Sequence, residues 1–143
     1  MSEPRRRVFL DSNVIFSGLY SSSGAPGKIL EVFIEGELEL VISRQVLDEV
    51  IRTIKEKLPQ ILPALRKLLE NSPPEVVRDP ALEDVKRWAS ELDTADAAIL
   101  AAAVTAQPDY FVTGDRRFLN NPGIAERAGL RIVTPAQFME MRK

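Results

Sequence analysis

The sequence contains no cysteine and no histidine among its 143 residues. Without cysteine there is no disulfide and no thiolate nucleophile. Without histidine there is no imidazole acid–base group, no Ser-His-Asp triad and none of the usual zinc sites. No apolar run is long enough to span a bilayer, and no secretory apolar stretch follows the polar, basic residues Met1 to Arg7. The expectation is therefore a cytoplasmic protein that does not engage membranes. Any chemistry must come from carboxylates, hydroxyls, Lys, Arg, Tyr or a hard metal ion.

What is present is the composition of an ordinary globular domain, 45% hydrophobic and 28% charged, with a length that suits one domain over residues 1–143. The net charge of -2 argues by itself against a nucleic-acid partner. That argument weakens if several acids share one metal site. Setting aside Asp11, Glu49, Asp93, Asp96 and Asp115 leaves 16 acids against 19 Lys and Arg, a mildly basic remainder.

Strand and helix signals alternate along the chain. Val8-Phe9-Leu10 reads as a buried strand ending at Asp11, after which Asp11, Ser12 and Asn13 can cap a helix from about Val14. A helix over about Pro26–Ile34 ends before Gly36, and a second strand covers Leu38 to Ile42. Ser43 caps a helix from Arg44 to about Leu58 with the apolar stripe Leu47, Val50, Ile51, Ile54 and Leu58. Pro59 and Pro63 bracket a break before a helical stretch from Ala64 to Glu70. Val76-Val77 suggests a third strand and Leu82 to Glu91 a further helix, on which Trp88 reads as core rather than a base-stacking platform. Asp93 or Thr94 caps a helix to Ala106 that is apolar on every side between Ala97 and Val104. Tyr110 to Thr113 is a fourth strand, Ile124 to Ala128 a short helix closed by Gly129, Leu130 to Val133 a fifth strand, and Thr134-Pro135 opens a last helix to about Met141. The alternation predicts an α/β fold: a mostly parallel sheet with helices on both faces.

In such a sheet ligands bind beyond the C-terminal ends of the strands, where strand order reverses. Asp11 and Asp115 follow the first and fourth strands. With order 3-2-1-4-5 these strands are neighbours at the reversal, and both carboxylates open into one crevice. Asp96, with Asp93 three residues earlier, starts the buried helix that feeds the fourth strand. Crowded carboxylates repel one another unless a cation intervenes, and an all-oxygen set suits Mg²⁺ or Mn²⁺. Such ions activate water and stabilise the leaving oxygen of a phosphodiester, with no need of His or Cys.

Each acid also has a plain structural reading. Asp11, Asp93 and Asp115 can be helix caps, and Asp96 can be favoured by the helix dipole. Glu49 lies nearly opposite the stripe of its helix and reads from pattern as a solvated side chain. The Arg5-Arg6-Arg7 run reads as a solvated arm.

At these residues the sequence resembles the PIN-domain nucleases. The resemblance lies in four segments spread over nearly the whole chain: 8–14 (VFLDSNV), 43–50 (SRQVLDEV), 93–103 (DTADAAILAAA) and 110–115 (YFVTGD). It is closest to the members that act as toxins of toxin–antitoxin systems. It implies a three-layer α/β/α domain with a five-stranded sheet in the order 3-2-1-4-5, and Mg²⁺- or Mn²⁺-dependent hydrolysis of RNA. It also implies a homodimer and inhibition by an antitoxin protein. By the same resemblance Asp11, Glu49, Asp96 and Asp115 are the acidic site, with Asp11, Asp96 and Asp115 on the metal. Glu49 rests on the family alone, against its periodicity. Asn13, Ser43 and Thr113 match supporting polar positions and Asp93 an additional acid. Lys28, Arg44, Arg116 and Arg117 lie near the strand C-termini and are candidates for RNA phosphates. Two other functions remain to be weighed. A phosphatase or phosphotransferase using Asp11 as nucleophile would want a second Asp where Asn13 stands, and a late Lys, of which the chain has only Lys143 after Arg87. A domain of this fold could also bind RNA or protein with an inert site.

Overall fold

The computed structural model describes residues 5–142; Lys143 and the first four residues of the basic N-terminal arm lie outside the described residues. Val8, Phe9 and Leu10 carry no polar alternation, the pattern of a strand covered on both faces. All three are fully buried in β1 (Arg6–Leu10). It leads into α1 (Ser12–Tyr20) and α2 (Ala25–Ile34). β2 (Leu38–Ser43) follows, with α3 (Arg44–Lys57), a 3-10 turn at Pro59–Ile61 and α4 (Leu62–Asn71). β3 (Glu75–Val77) precedes α5 (Leu82–Lys86) and α6 (Thr94–Ala106). β4 (Tyr110–Val112), α7 (Arg116–Leu119), α8 (Pro122–Ala128), β5 (Ile132–Val133) and α9 (Pro135–Arg142) complete the chain.

The sheet runs β3-β2-β1-β4-β5 and every neighbouring pair is parallel. Right-handed crossovers that leave a central β1 in both directions place helices on opposite faces, which gives the three-layer α/β/α architecture. The core between the layers is aromatic at its centre. Phe9 and Phe111 face each other in register edge-on at 5.4 Å, and Phe118 of α7 lies 5.2 Å from Phe111. Trp88 is buried, as its helical setting suggested.

Most elements lie where the sequence places them, with four informative differences. α1 begins at Ser12 because the Asp11 side chain, the residue before it, already caps it. Pro63 sits inside the first turn of α4, a position that tolerates proline, so it begins the helix rather than breaking it. β4 stops at Val112 and β5 starts only at Ile132, one residue short and two residues late of the sequence reading. The helix expected to reach Glu91 ends at Lys86. Beyond it Trp88, Ala89 and Glu91 bond back three residues, to Val85, Lys86 and Trp88, in tighter turns that bury the Trp88 ring.

The sheet positions the site through one register. Leu10 pairs with Val112, and the Asp11 amide donates to the Val112 carbonyl at 3.0 Å. Asp11 and the segment Thr113-Gly114-Asp115 therefore leave the sheet side by side.

Candidate active site

Asp11 is 3% exposed and its carboxylate is held on both oxygens. Oδ1 accepts from the Ser12 amide at 2.8 Å. Oδ2 accepts from the Thr113 hydroxyl at 2.7 Å and from Asn13 Nδ2 at 2.9 Å. Thr113 is fully buried, and its hydroxyl oxygen also accepts from the Asp115 amide at 2.9 Å. Asn13 Oδ1 accepts from the Gly114 amide at 2.9 Å, an approach so close that a Cβ on residue 114 would stand 3.2 Å from that oxygen. Thr113 and Asn13 thus stitch the end of β1 to the end of β4 and fix the direction of Asp11.

Asp93 caps α6 by accepting from the Asp96 amide at 2.8 Å, which sets Asp96 in the helix's first turn. That turn carries the positive end of a 13-residue helix, a setting that favours a carboxylate. Glu49 comes from α3, whose start is set by the buried Ser43 hydroxyl accepting from the Val46 amide at 3.1 Å. Its Oε2 accepts from Ser12 Oγ at 2.9 Å. Glu49 is half-buried, because α1 packs against α3 and covers part of the polar side of that helix. The periodicity reading of Glu49 as a free surface residue fails for that reason, and the structure places the side chain at the cavity with the other acids.

Asp11, Glu49, Asp93, Asp96 and Asp115 all line one cavity of about 810 Å³, together with Ser12, Asn13 and Gly114. The acids feel one another there. Burial pushes the Asp11 carboxyl up, and the charges of Glu49 and Asp115 add to the rise, against the pull of the Thr113 and Ser12 donors. Burial also raises Asp96, to about 6, opposed by Arg117 and helped by Asp93, Asp115 and Asp11. Asp115 moves the other way, held low by its bonds to the Arg117 side chain.

Of the four proposed phosphate-binding cations, Arg116 and Arg117 line this cavity, whereas Lys28 and Arg44 do not. Arg44 lies instead beside Asp48 on its own helix, 3.8 Å away. Arg117, though largely exposed, turns its guanidinium onto the acids. Its Nη2 lies 2.7 Å from Asp115 Oδ2, and Nη1 lies 3.2 Å from Asp93 Oδ2 and 2.7 Å from Asp96 Oδ2. The last contact is off the donor axis, so Asp96 Oδ2 is a buried oxygen with charge beside it but no directed hydrogen bond.

A hard divalent cation fits these residues. The donors are all carboxylate oxygens, two of the acids are buried, and one buried oxygen lacks a donor. Among the described residues no three acids already stand in closed ligand geometry. The guanidinium of Arg117 lies among three of them instead. Asp11, Asp96 and Asp115 would hold the ion, with Glu49 beside them on the Ser12 hydroxyl. Sequence reasoning missed Ser12 and, having offered Arg117 for RNA phosphates, missed where its guanidinium lies. Ser12, which ties Glu49 to the Asp11 turn, could have been noticed as a small polar residue directly after the first acid. The inward turn of Arg117 had no signal in the sequence.

A family model described as the PIN domain matches residues 7–117, well over half of the chain. A search of curated proteins by sequence finds no match. Among solved structures, the chain is similar to VapBC2 from Rickettsia felis, crystallised with a DNA fragment from their promoter, at a TM-score of 0.66 and 16% identity over 89% of this chain and 97% of that one. It is also similar to PAE2754 from Pyrobaculum aerophilum, with a TM-score of 0.63 and 21% identity over 96% of this chain and 90% of that one. FitAcB from Neisseria gonorrhoeae gives a TM-score of 0.59 and 18% identity over 90% and 97%. With the model match spanning the segments that carry the acids and the sheet order agreeing, this chain belongs to the PIN-domain family.

Proposed function

We propose that the protein is an endoribonuclease that hydrolyses RNA phosphodiester bonds with Mg²⁺ or Mn²⁺. The observation that carries this reading is the convergence of buried Asp11 and Asp96 with Asp115 and Glu49 in one cavity at the reversal of strand order. A divalent ion held there supplies charge stabilisation and an activated water for attack on phosphorus. The chain's own groups prepare that chemistry. Thr113 and Asn13 orient Asp11 through its Oδ2, and Ser12 holds Glu49. Arg116 lines the mouth of the cavity with its side chain exposed, suited to a phosphate of the bound strand.

The family resemblance supports a toxin restrained by an antitoxin protein, and a homodimer in the cytoplasm. No helix among the described residues is long and apolar enough to cross a membrane. The test is cleavage of an RNA panel with Mn²⁺, with and without EDTA, by wild type, Asp11→Asn and Asp96→Asn. Activity is expected only for wild type with metal. Equal activity in all three proteins would remove the site from the reaction. Tight Mn²⁺ binding with no cleavage of any RNA would favour an inert binding module.

A further inference from the structure

Arg117 is unusual in how its two halves are exposed. Its backbone is anchored, the amide donating to Asp115 Oδ1 at 2.9 Å in the first turn of α7. Its side chain is 60% exposed, yet the guanidinium meets, besides the equally exposed Asp93, two acids that are far more enclosed: Asp96 at 10% and Asp115 at 17%. What holds the guanidinium is its bonds to Asp115 and Asp93 and its ionic contact with Asp96. With most of its side chain in water it can turn outward, whereas Asp96, on a buried helix, cannot follow it. The cluster holds more negative charge than one guanidinium balances, and one buried oxygen of Asp96 has only an off-axis ionic contact.

We propose that Arg117 is a built-in stand-in for the divalent ion, seated among Asp93, Asp96 and Asp115 when the metal is absent and displaced when it enters. This rests on the metal-dependent reading above. A guanidinium is weakly hydrated and offers several donors in a plane, so it can neutralise clustered carboxylates that would otherwise repel. While it does so, the ion's place is closed. The apparent metal affinity is then lowered by the fraction of molecules with the arginine seated. Arg117 therefore holds the empty site together and sets the metal concentration at which it fills.

The test is calorimetric titration of Mn²⁺ into the full chain at fixed ionic strength, with thermal unfolding in EDTA alongside. The proteins are wild type, Arg117→Met, Arg117→Lys, Arg116→Met and Asp96→Asn. Arg116 lines the same cavity with its side chain exposed, so its variant removes the same charge without emptying the acid cluster. Arg117→Met is expected to bind Mn²⁺ about tenfold more tightly than wild type. It should also unfold at a lower temperature in EDTA and recover most of that loss with Mn²⁺. Arg117→Lys, which keeps the charge but not the planar fork, should fall between. Arg116→Met should stay within about twofold of wild type and keep its melting temperature in EDTA. If Asp96→Asn abolishes Mn²⁺ binding but Arg117→Met binds no more tightly than Arg116→Met, the stand-in role is wrong and the metal site survives. If wild type binds no Mn²⁺ at all, the metal reading and the stand-in role fall together.

Discussion

At the N-terminal edge of the sheet, Arg7 meets one carboxylate, Glu75, through two parallel bonds of 2.8 and 2.9 Å, and gives its Nε–H to the Ala106 carbonyl at 2.9 Å. At the C-terminal edge, Arg117 is divided among Asp93, Asp96 and Asp115, with Asp11 and Glu49 lining the same cavity. Both are arginines beside acids on the same fold. The first is a fork pair with Glu75, and the other acids near it, Glu39 and Asp109, are exposed. The second is outnumbered, and the acids around it are buried deeply enough that burial raises two of them. A fold that only needed stability would not keep an excess of enclosed carboxylates, because their desolvation and mutual repulsion act against it. The acids near Arg7 are exposed, whereas those near Arg117 include buried ones, and it is at that enclosed edge that we place the proposed cation.

The contrast breaks most sharply at Asp11. Asp11→Asn keeps the shape of a group held by three donors and removes its charge. RNA cleavage in Mn²⁺ should fall by at least about a hundredfold, the scale of losing a group that steadies charge in the transition state. A gel or fluorescence cleavage assay reads it. Thr113→Val comes next. It is nearly isosteric, but it removes both the donor to Asp11 Oδ2 and the acceptor of the Asp115 amide in a fully buried place. Loss of an outer hydrogen bond to a metal-binding carboxylate costs roughly 10- to 100-fold in metal affinity, and Mn²⁺ titration should show that range.

How far the site could be read in advance depended on whether a local pattern or a tertiary contact decided each residue. Leu10 to Asp11 and Val112 to Asp115 were legible because an unbroken apolar run ended in a polar turn, which is a local signal. Asp93 and Asp96 were legible as a capping arrangement, and the capping reading holds: Asp93 does accept from the Asp96 amide. A capping residue can line the cavity as well, so the two readings are not rivals. Glu49 was illegible by periodicity, since a helix wheel cannot know that α1 will cover its polar side. Arg117 was illegible in a deeper sense. Its neighbours Asp93 and Asp96 lie more than twenty residues away in the chain, and only the β1–β4 register and the return of α6 bring them together. The premature end of α5 belongs to the same class, because burial of Trp88 overrode a helix-compatible sequence.

Acidity offers a smaller effect that sharpens the comparison. Asp96 titrates at about 6 in the fold against 3.8 for the free group. A carboxyl raised on folding binds its proton more tightly in the native state, so its charged form costs stability above that range. In EDTA the protein should therefore melt at a higher temperature at pH 5 than at pH 7, as far as Asp96 and Asp11 decide it, since both are raised. Asp115 is lowered, so its stabilising contribution is lost only below the free value of 3.8, outside this window. With Mn²⁺ the order should reverse, because a protonated carboxyl does not ligate and affinity rises from pH 5 to pH 7. Melting curves at the two pH values, with and without Mn²⁺, provide the check; the same pH trend in both conditions would count against the site.

The smallest effect is expected at the other arginine. Arg7→Met removes the bond to the Ala106 carbonyl and the fork to Glu75, whose side chain is 53% exposed, so the ion pair is open to water and salt. Exposed pairs of this kind contribute about 1 kcal/mol or less. The long apolar part of the methionine keeps most of the packing of the arginine stem, and the Arg7 amide still donates to Asp109 Oδ2. A small drop in melting temperature is therefore the whole expectation for stability. Mn²⁺ affinity should not move, because three residues, Val8 to Leu10, separate Arg7 from Asp11 along the strand, about 13 Å, which exceeds the screening length at physiological salt. Were Arg7→Met to shift Mn²⁺ binding as much as Arg117→Met, the effect would be one of overall charge, and the two edges of the sheet would no longer be different in kind.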